Sequence, residues 1–349
     1  MRVLIIGANG FIGNRLTETI LAKTDWHVSA IDLFQDKLQK YLSHERLYFH
    51  LGDISKEKNW VIEQIKCCDV VLPLAAIATP ATYVNNPLQI FELDFEANLE
   101  IVRQCDRFSK RLIFPSTSEV YGMCPDAEFD EEQSHLVTGP IHKERWIYAS
   151  SKQLLDRVIY AYGKHHHLSY TLFRPFNWYG PRLDSIDNPK PGGSRVITQF
   201  IGHILRGEDI SLVNGGAQQR CFTYLDDGIA ALLKIIENKN ACAHQKIFNI
   251  GNPNENVSIR TLAETLMQLI KAYPGYAHPK TQLVDVSAES YYGTGYQDVS
   301  LRVPSIKRAQ RDLDWQPETT LITGLKKTLA FWLESDYPVQ VTCSSTTEI

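Results

Sequence analysis

No run of 18 apolar residues occurs in the 349-residue chain, so nothing in it is long enough to cross a bilayer as a helix. There is no run of five or more basic residues either, and the charges sum to 36 − 40 = −4. Both features argue against nucleic acid as a partner. The opening MRVLIIGANG carries one arginine and turns glycine-rich where a secretory signal needs its apolar stretch and cleavage site, so a cytoplasmic location is expected. Cysteines are few and odd in number (Cys67, Cys68, Cys105, Cys124, Cys221, Cys242 and Cys343), with no CxxC pair. That pattern disfavours disulfides and a zinc site and reads as small buried thiols in a reducing compartment. Repeats and low-complexity tracts are absent. The triplet His165-His166-His167 reads as a solvated turn before a strand, because three adjacent side chains cannot all face one ion.

What is present is the balance of a globular protein, 44% hydrophobic and 22% charged. At roughly 150 residues per domain, the length suits one large domain with a smaller companion lobe. Short, nearly continuous apolar runs predict strands at residues 2–8, 27–33, 47–53, 69–76, 111–118 and 169–176, with a further strand near 246–251. Helical patterns separate them, including a long helix around 89–108 and another after Tyr148. Buried strands alternating with helices imply an α/β fold with a doubly wound parallel sheet of Rossmann type. Residues 1–180 are expected to form this domain and 181–335 mainly a smaller C-terminal substrate-binding lobe. Residues 184–194 read as a loop, and 338–349 as a loose tail.

The first strand runs into Gly7-Ala-Asn-Gly10-Phe11-Ile12-Gly13 and then a helix. A pyrophosphate needs a tight glycine turn, close backbone approach and a helix N-terminus. Asp32 ends the second strand about 20 residues on, where a carboxylate accepts from a ribose hydroxyl and repels a 2′-phosphate; NAD is the expected cofactor. Asp53, with Ile54 beside it after strand three, suits the adenine or caps the following helix. Ala75, at the end of strand four, with Tyr148 and Lys152 further on, completes the cofactor set.

Tyr148 and Lys152 lie one helical turn apart on one face. A phenol titrates near 10, and the neighbouring ammonium is expected to lower that value so that the phenolate accepts a proton from a substrate alcohol. Thr117 and Ser118, at the carboxyl end of strand five, are placed to orient a sugar hydroxyl, and Glu119 follows into the cleft.

Together GANGFIG, LAAIATP, STSEVYG, YASSK, RPFNWYGP, GGAQQRCFTYLDD and FNIGNP resemble the extended short-chain dehydrogenase/reductases, over essentially the whole chain to about residue 335. Within them PSTSEVYGMC, RWIYASSKQLLDRVI and SYYGTGYQDVSLRVPSI are most similar to UDP-glucuronate decarboxylases, such as the dehydrogenase/decarboxylase half of bifunctional polymyxin-resistance enzymes. UDP-apiose/xylose synthases are next. The 4,6-dehydratases carry Asp-Glu where this chain has Ser118-Glu119, and serine is a poor acid for expelling water. The resemblance implies a UDP-sugar substrate, UDP-glucuronate, oxidised at its 4-hydroxyl and then decarboxylated. It implies Glu119 as acid/base partner and Arg302 as carboxylate clamp and proton donor. It further implies substrate contacts from Ala78, Tyr83, Arg145, Asn177, Arg220 and Tyr296, with residues 211–220 holding uridine and diphosphate. A homodimer through the two long helices is expected, and no metal. Release of NADH and return of the hydride to give UDP-xylose both stay open, as do, more remotely, an epimerase or dehydratase and a non-catalytic NAD-binding protein.

Overall fold

A computed structural model describes residues 1–186, 195–276, 280–293, 295–299 and 301–334. Its centre is a seven-stranded sheet. In chain order the first six strands are β1 (Arg2–Ile6), β2 (His27–Asp32), β3 (Leu47–Leu51), β4 (Val70–Pro73), β5 (Arg111–Pro115) and β6 (Tyr170–Pro175); the seventh is Lys246–Ile250. The spatial order is Lys246–Ile250, β6, β5, β4, β1, β2, β3, and every pair is parallel. The order reverses between β1 and β4, so the crevice at their carboxyl ends is where such a sheet takes a ligand.

The apolar runs are continuous because both sheet faces are covered. Along β1, Val3 and Ile5 enter one core while Leu4 and Ile6 enter the other. The first core also takes Leu16 and Ile20 of the first helix (Phe11–Lys23), together with the helix Leu225–Glu237. The second takes Ile101, Val102, Leu155 and Ile159 from helices on the other face. Each such side chain contributes about 1.5–3 kcal/mol by leaving water.

Beyond β6 the chain forms short pairs and helices. Ile210–Val213 pairs with Leu283–Val286, and Gln219–Cys221 with Asn256–Ser258. Helix Ile259–Lys271 starts at Ser258, whose hydroxyl accepts from the Thr261 amide at 3.0 Å.

Three expectations need correction. The long helix near 89–108 is not continuous: Pro87–Phe91 and Asn98–Arg107 are α-helical, and Glu92–Ala97 between them is a π-helical turn. His165 and His166 are not in a loop but close the 21-residue helix Trp146–His166, and His166 pairs with Asp106 at 3.0 Å. Basic side chains suit a helix C-terminus, which explains their place. Of the cysteines, Cys68, Cys105, Cys124 and Cys221 are buried, but Cys67 is exposed and Cys242 only partly covered. Cys343, the tail 338–349 and most of the 184–194 loop lie outside the described residues. No helix among the described residues is long and apolar enough to cross a membrane.

Candidate active site

At the end of β1 the backbone turns at Gly7, whose φ of +89° favours glycine. A Cβ there would stand 2.6 Å from the Ala75 amide nitrogen, and one on Gly13 would stand 2.2 Å from the Gly7 carbonyl oxygen. Neither position admits a side chain, which is what close backbone approach to a pyrophosphate requires. Gly10 caps the first helix, Phe11 is buried and Ile12 partly covered. The Asp32 carboxylate accepts from the Asn9 amide at 2.8 Å; burial pushes its pKa up, against the amides that hold it down. Gly7, Gly10, Asp32, Asp53, Ile54 and Ala75 line one open cleft. Asp53 does not cap the next helix, which begins after Glu57. Its carboxylate instead accepts from the amide and hydroxyl of Ser55, at 2.9 and 2.8 Å, and these bonds lower its pKa. The glycine turn, the helix N-terminus and the carboxylate ending β2 fit a dinucleotide.

Tyr148 sits in the first turn of Trp146–His166 with Lys152 one turn on. Its ring stacks on Tyr83 (centroids 4.6 Å apart, planes at 7°), and the Thr117 side chain stands beside its phenol. Thr117 Oγ1 also accepts from the Glu119 amide at 3.2 Å. The phenol is not lowered as expected. Burial pushes it well above its ordinary value, the Asp94 and Glu119 carboxylates add to this, and only then does the neighbouring Thr117 side chain oppose them. The sequence reading weighed Lys152 and overlooked Asp94, which lies 3.2 Å from the Lys152 ammonium. Lys152 also donates to the Pro115 carbonyl at 3.2 Å.

A second cavity is lined by Glu119, Arg145, Asn177, Arg220, Tyr296 and Arg302 among others; Tyr148 and Lys152 do not line it themselves, and Glu119, in the turn that also carries Thr117, connects it to them. Glu119 is bonded to both Arg145 and Arg302. Burial alone would raise its pKa, but Arg302 and then Arg145 pull it down to about 2. Arg145 donates to the Gln297 carbonyl at 2.8 Å and packs on the rings of Trp146 and Tyr296. Arg220 pairs with Asp298 at 2.7 Å, and the Tyr296 hydroxyl donates to the same carboxylate at 3.3 Å. Asn177, at φ +40°, donates to the Cys221 carbonyl at 3.0 Å while lining the cavity.

Not every expected residue converges. Ala78 is exposed and lines neither cavity, Tyr83 touches the site through Tyr148, and Ser118 is buried in the turn after β5. The arginine pairing also counts against Arg302 as an acid. Burial favours loss of its proton, but Glu119 more than reverses this and raises its pKa. Reasoning from sequence missed Arg195, Asp298, Tyr291 and Tyr292, which share the cavity. A signal existed for Asp298, four residues before Arg302. The four arginines lining the cavity (145, 195, 220 and 302) outnumber its two carboxylates, Glu119 and Asp298.

The profile of the NAD dependent epimerase/dehydratase family matches residues 3–251. Among solved structures, the PbgP3 protein from Burkholderia pseudomallei is 53% identical, with a TM-score of 0.86 over 95% of this chain and 96% of that one. A UDP-glucuronic acid 4-epimerase from Bacillus cereus, in complex with UDP-glucuronic acid and NAD, is 23% identical with a TM-score of 0.79, covering 95% and 98%. A dTDP-glucose 4,6-dehydratase from Bacillus anthracis, in complex with NAD, is 19% identical with a TM-score of 0.77, covering 96% and 97%. The last two share the fold. With its seven-stranded parallel sheet, its glycine turn and a profile match over most of its length, the chain belongs to the NAD dependent epimerase/dehydratase family, an extended short-chain dehydrogenase/reductase group of enzymes, and its cofactor is NAD.

Proposed function

We propose that the protein oxidises and decarboxylates UDP-glucuronate, giving a UDP-4-keto-pentose, carbon dioxide and NADH. The observation that carries this reading is the buried Arg302 guanidinium, which shares the single carboxylate of Glu119 with Arg145, while Arg220 has Asp298 and Arg195 has Asp184, so that one positive charge at the cavity lacks a partner. A nucleotide sugar that is itself an acid brings the missing negative charge.

Bound NAD supplies the acceptor for the hydride leaving carbon 4. Residues 1–180 hold it, through Gly7, Gly10, Phe11, Ile12, Gly13, Asp32, Asp53, Ile54 and Ala75, and residues 181–335 mainly hold the nucleotide sugar. Tyr148 takes the proton of the 4-hydroxyl, with Thr117 orienting the sugar and Lys152 keeping positive charge beside the phenolate. The product is a β-keto acid. Its C5–C6 bond breaks, the electron pair moves into the C4 carbonyl as an enolate, and carbon dioxide leaves; protonation at C5 completes the step. Arg302 clamps the departing carboxylate. When that carboxylate takes Arg302, Glu119 loses a partner, its proton affinity rises, and it becomes competent as the acid/base group. Arg220 contacts the diphosphate, with Arg145, Asn177 and Tyr296 shaping the sugar pocket, and Tyr83 backs the Tyr148 ring.

The test is a purified protein mixed with NAD and either UDP-glucuronate or UDP-glucose, followed by NADH absorbance at about 340 nm. Build-up with the uronate and none with the neutral sugar supports the proposal. Turnover of the neutral sugar with the uronate left intact overturns it.

A further inference from the structure

The π-helical turn Glu92–Ala97 interrupts what would be one long helix, and such turns are frequent at functional sites. The turn brings Asp94 to Lys152 and sets Leu93 against the cofactor cleft. This carboxyl is fully buried; Oδ1 stands 3.2 Å from the Lys152 ammonium, and Oδ2 accepts from the Ile77 amide at 3.2 Å. Ile77 lines the cofactor cleft. Asp94 therefore ties together the π turn, the loop after β4 and the lysine next to Tyr148. Lys152 is itself 1% exposed, with the Phe114 ring on one side, and a buried ammonium needs a counter-charge.

We propose that Asp94 is a positioning residue, the fixed counter-charge that keeps Lys152 in place and sets the pH at which the Lys152–Tyr148 pair releases the proton needed for catalysis. The proposal rests on the reading of Tyr148 as the base.

The surroundings leave Asp94 a distinct part. Lys152 and Asp156 face this region from the Tyr148 helix itself, and Arg145 from just before it. Tyr83 comes from the helix Pro80–Asn85, Thr117 and Glu119 from the turn after β5, and Arg195 from the C-terminal lobe. Among the carboxylates, Glu119 is claimed by two arginines and Asp156 by Arg174 and Ser116. Asp94 has Lys152 as its only ion-pair partner among the described residues. Its negative charge opposes formation of the phenolate, as the raised Tyr148 reflects. Removing it favours proton loss from the pair, so the acid limb of activity moves to lower pH.

Asp94→Asn keeps the side-chain shape and removes the charge. In the NAD-loaded protein, tyrosinate absorbance at about 295 nm, read against Tyr148→Phe to subtract the other tyrosines, is expected to titrate about 1 pH unit lower than in the wild type. The acid limb of kcat should move with it. A fall in rate with both curves unmoved means a merely structural part and overturns the proposal. A second measurement is independent of turnover. Lys152→Met strands a buried carboxylate, so adding Asp94→Asn to it should raise Tm by about 3 °C, or restore folding where the single variant fails. If the second substitution lowers Tm further, Asp94 is not the counter-charge. Neither the tyrosinate curve nor the stability cycle needs a substrate. Failure of UDP-glucuronate turnover would leave both readable, and so separates the two proposals.

Discussion

Glu119 lies between Arg145 and Arg302 with its pKa drawn from an ordinary 4.5 to about 2. A carboxyl lowered in the folded state stabilises the fold fully above its unfolded value and loses that contribution as pH falls toward its folded one. Urea denaturation should therefore show Glu119→Gln less stable than wild type at neutral pH. The gap should narrow only as pH falls from about 4.5 toward 2; a gap that widens in acid contradicts the assignment. Arg302 carries a prediction about activity. Arg302→Ala should lower kcat with UDP-glucuronate by about 100-fold with NAD affinity intact, and Arg302→Lys should recover little, because an ammonium cannot grip two carboxylate oxygens as a planar fork does. Wild-type turnover by Arg302→Ala contradicts the clamp. The motif around Arg302 was legible in the sequence. Its bond to Glu119, 183 positions away, was not, because no local pattern encodes a contact made by two distant loops.

The strand–turn–helix at the start of the chain is where sequence and structure agree most closely. Gly13→Ala puts a methyl 2.2 Å from the Gly7 carbonyl oxygen and forces the turn open. Isothermal titration should show NAD binding weakened at least about tenfold, close to 1.4 kcal/mol; unchanged affinity would mean the turn does not cradle the cofactor. The sheet strands were legible because burial on both faces makes them unbroken apolar runs. The π turn was not. FELDFEANLEIV alternates apolar and polar residues with a period of two, a spacing that marks neither a helix nor its widened turn, and one extra residue in a turn changes no residue type. Asp94, set between Glu92 and Glu96, looks like one more solvated acid until the turn points it at Lys152. The same limit applied to Tyr148. Its spacing from Lys152 was evident, but the burial and the two carboxylates that raise it come from elements remote in sequence.

Taken whole, a chain of net charge −4 gathers four arginines around one cavity, and this local excess favours anionic ligands over neutral ones. We also propose a homodimer through the helices flanking the π turn and the Tyr148 helix, which leave Leu88, Leu154 and Tyr160 exposed. Light scattering should then give twice the chain mass of 39.7 kDa, and a single mass would contradict it. Carbon–carbon cleavage following oxidation is the step that defines the proposed activity, and its most direct measurement uses UDP-glucuronate labelled at its carboxyl carbon. With NAD and the purified protein, labelled carbon dioxide should appear in step with substrate loss. Oxidation or epimerisation of the sugar with all label retained in the nucleotide would contradict it.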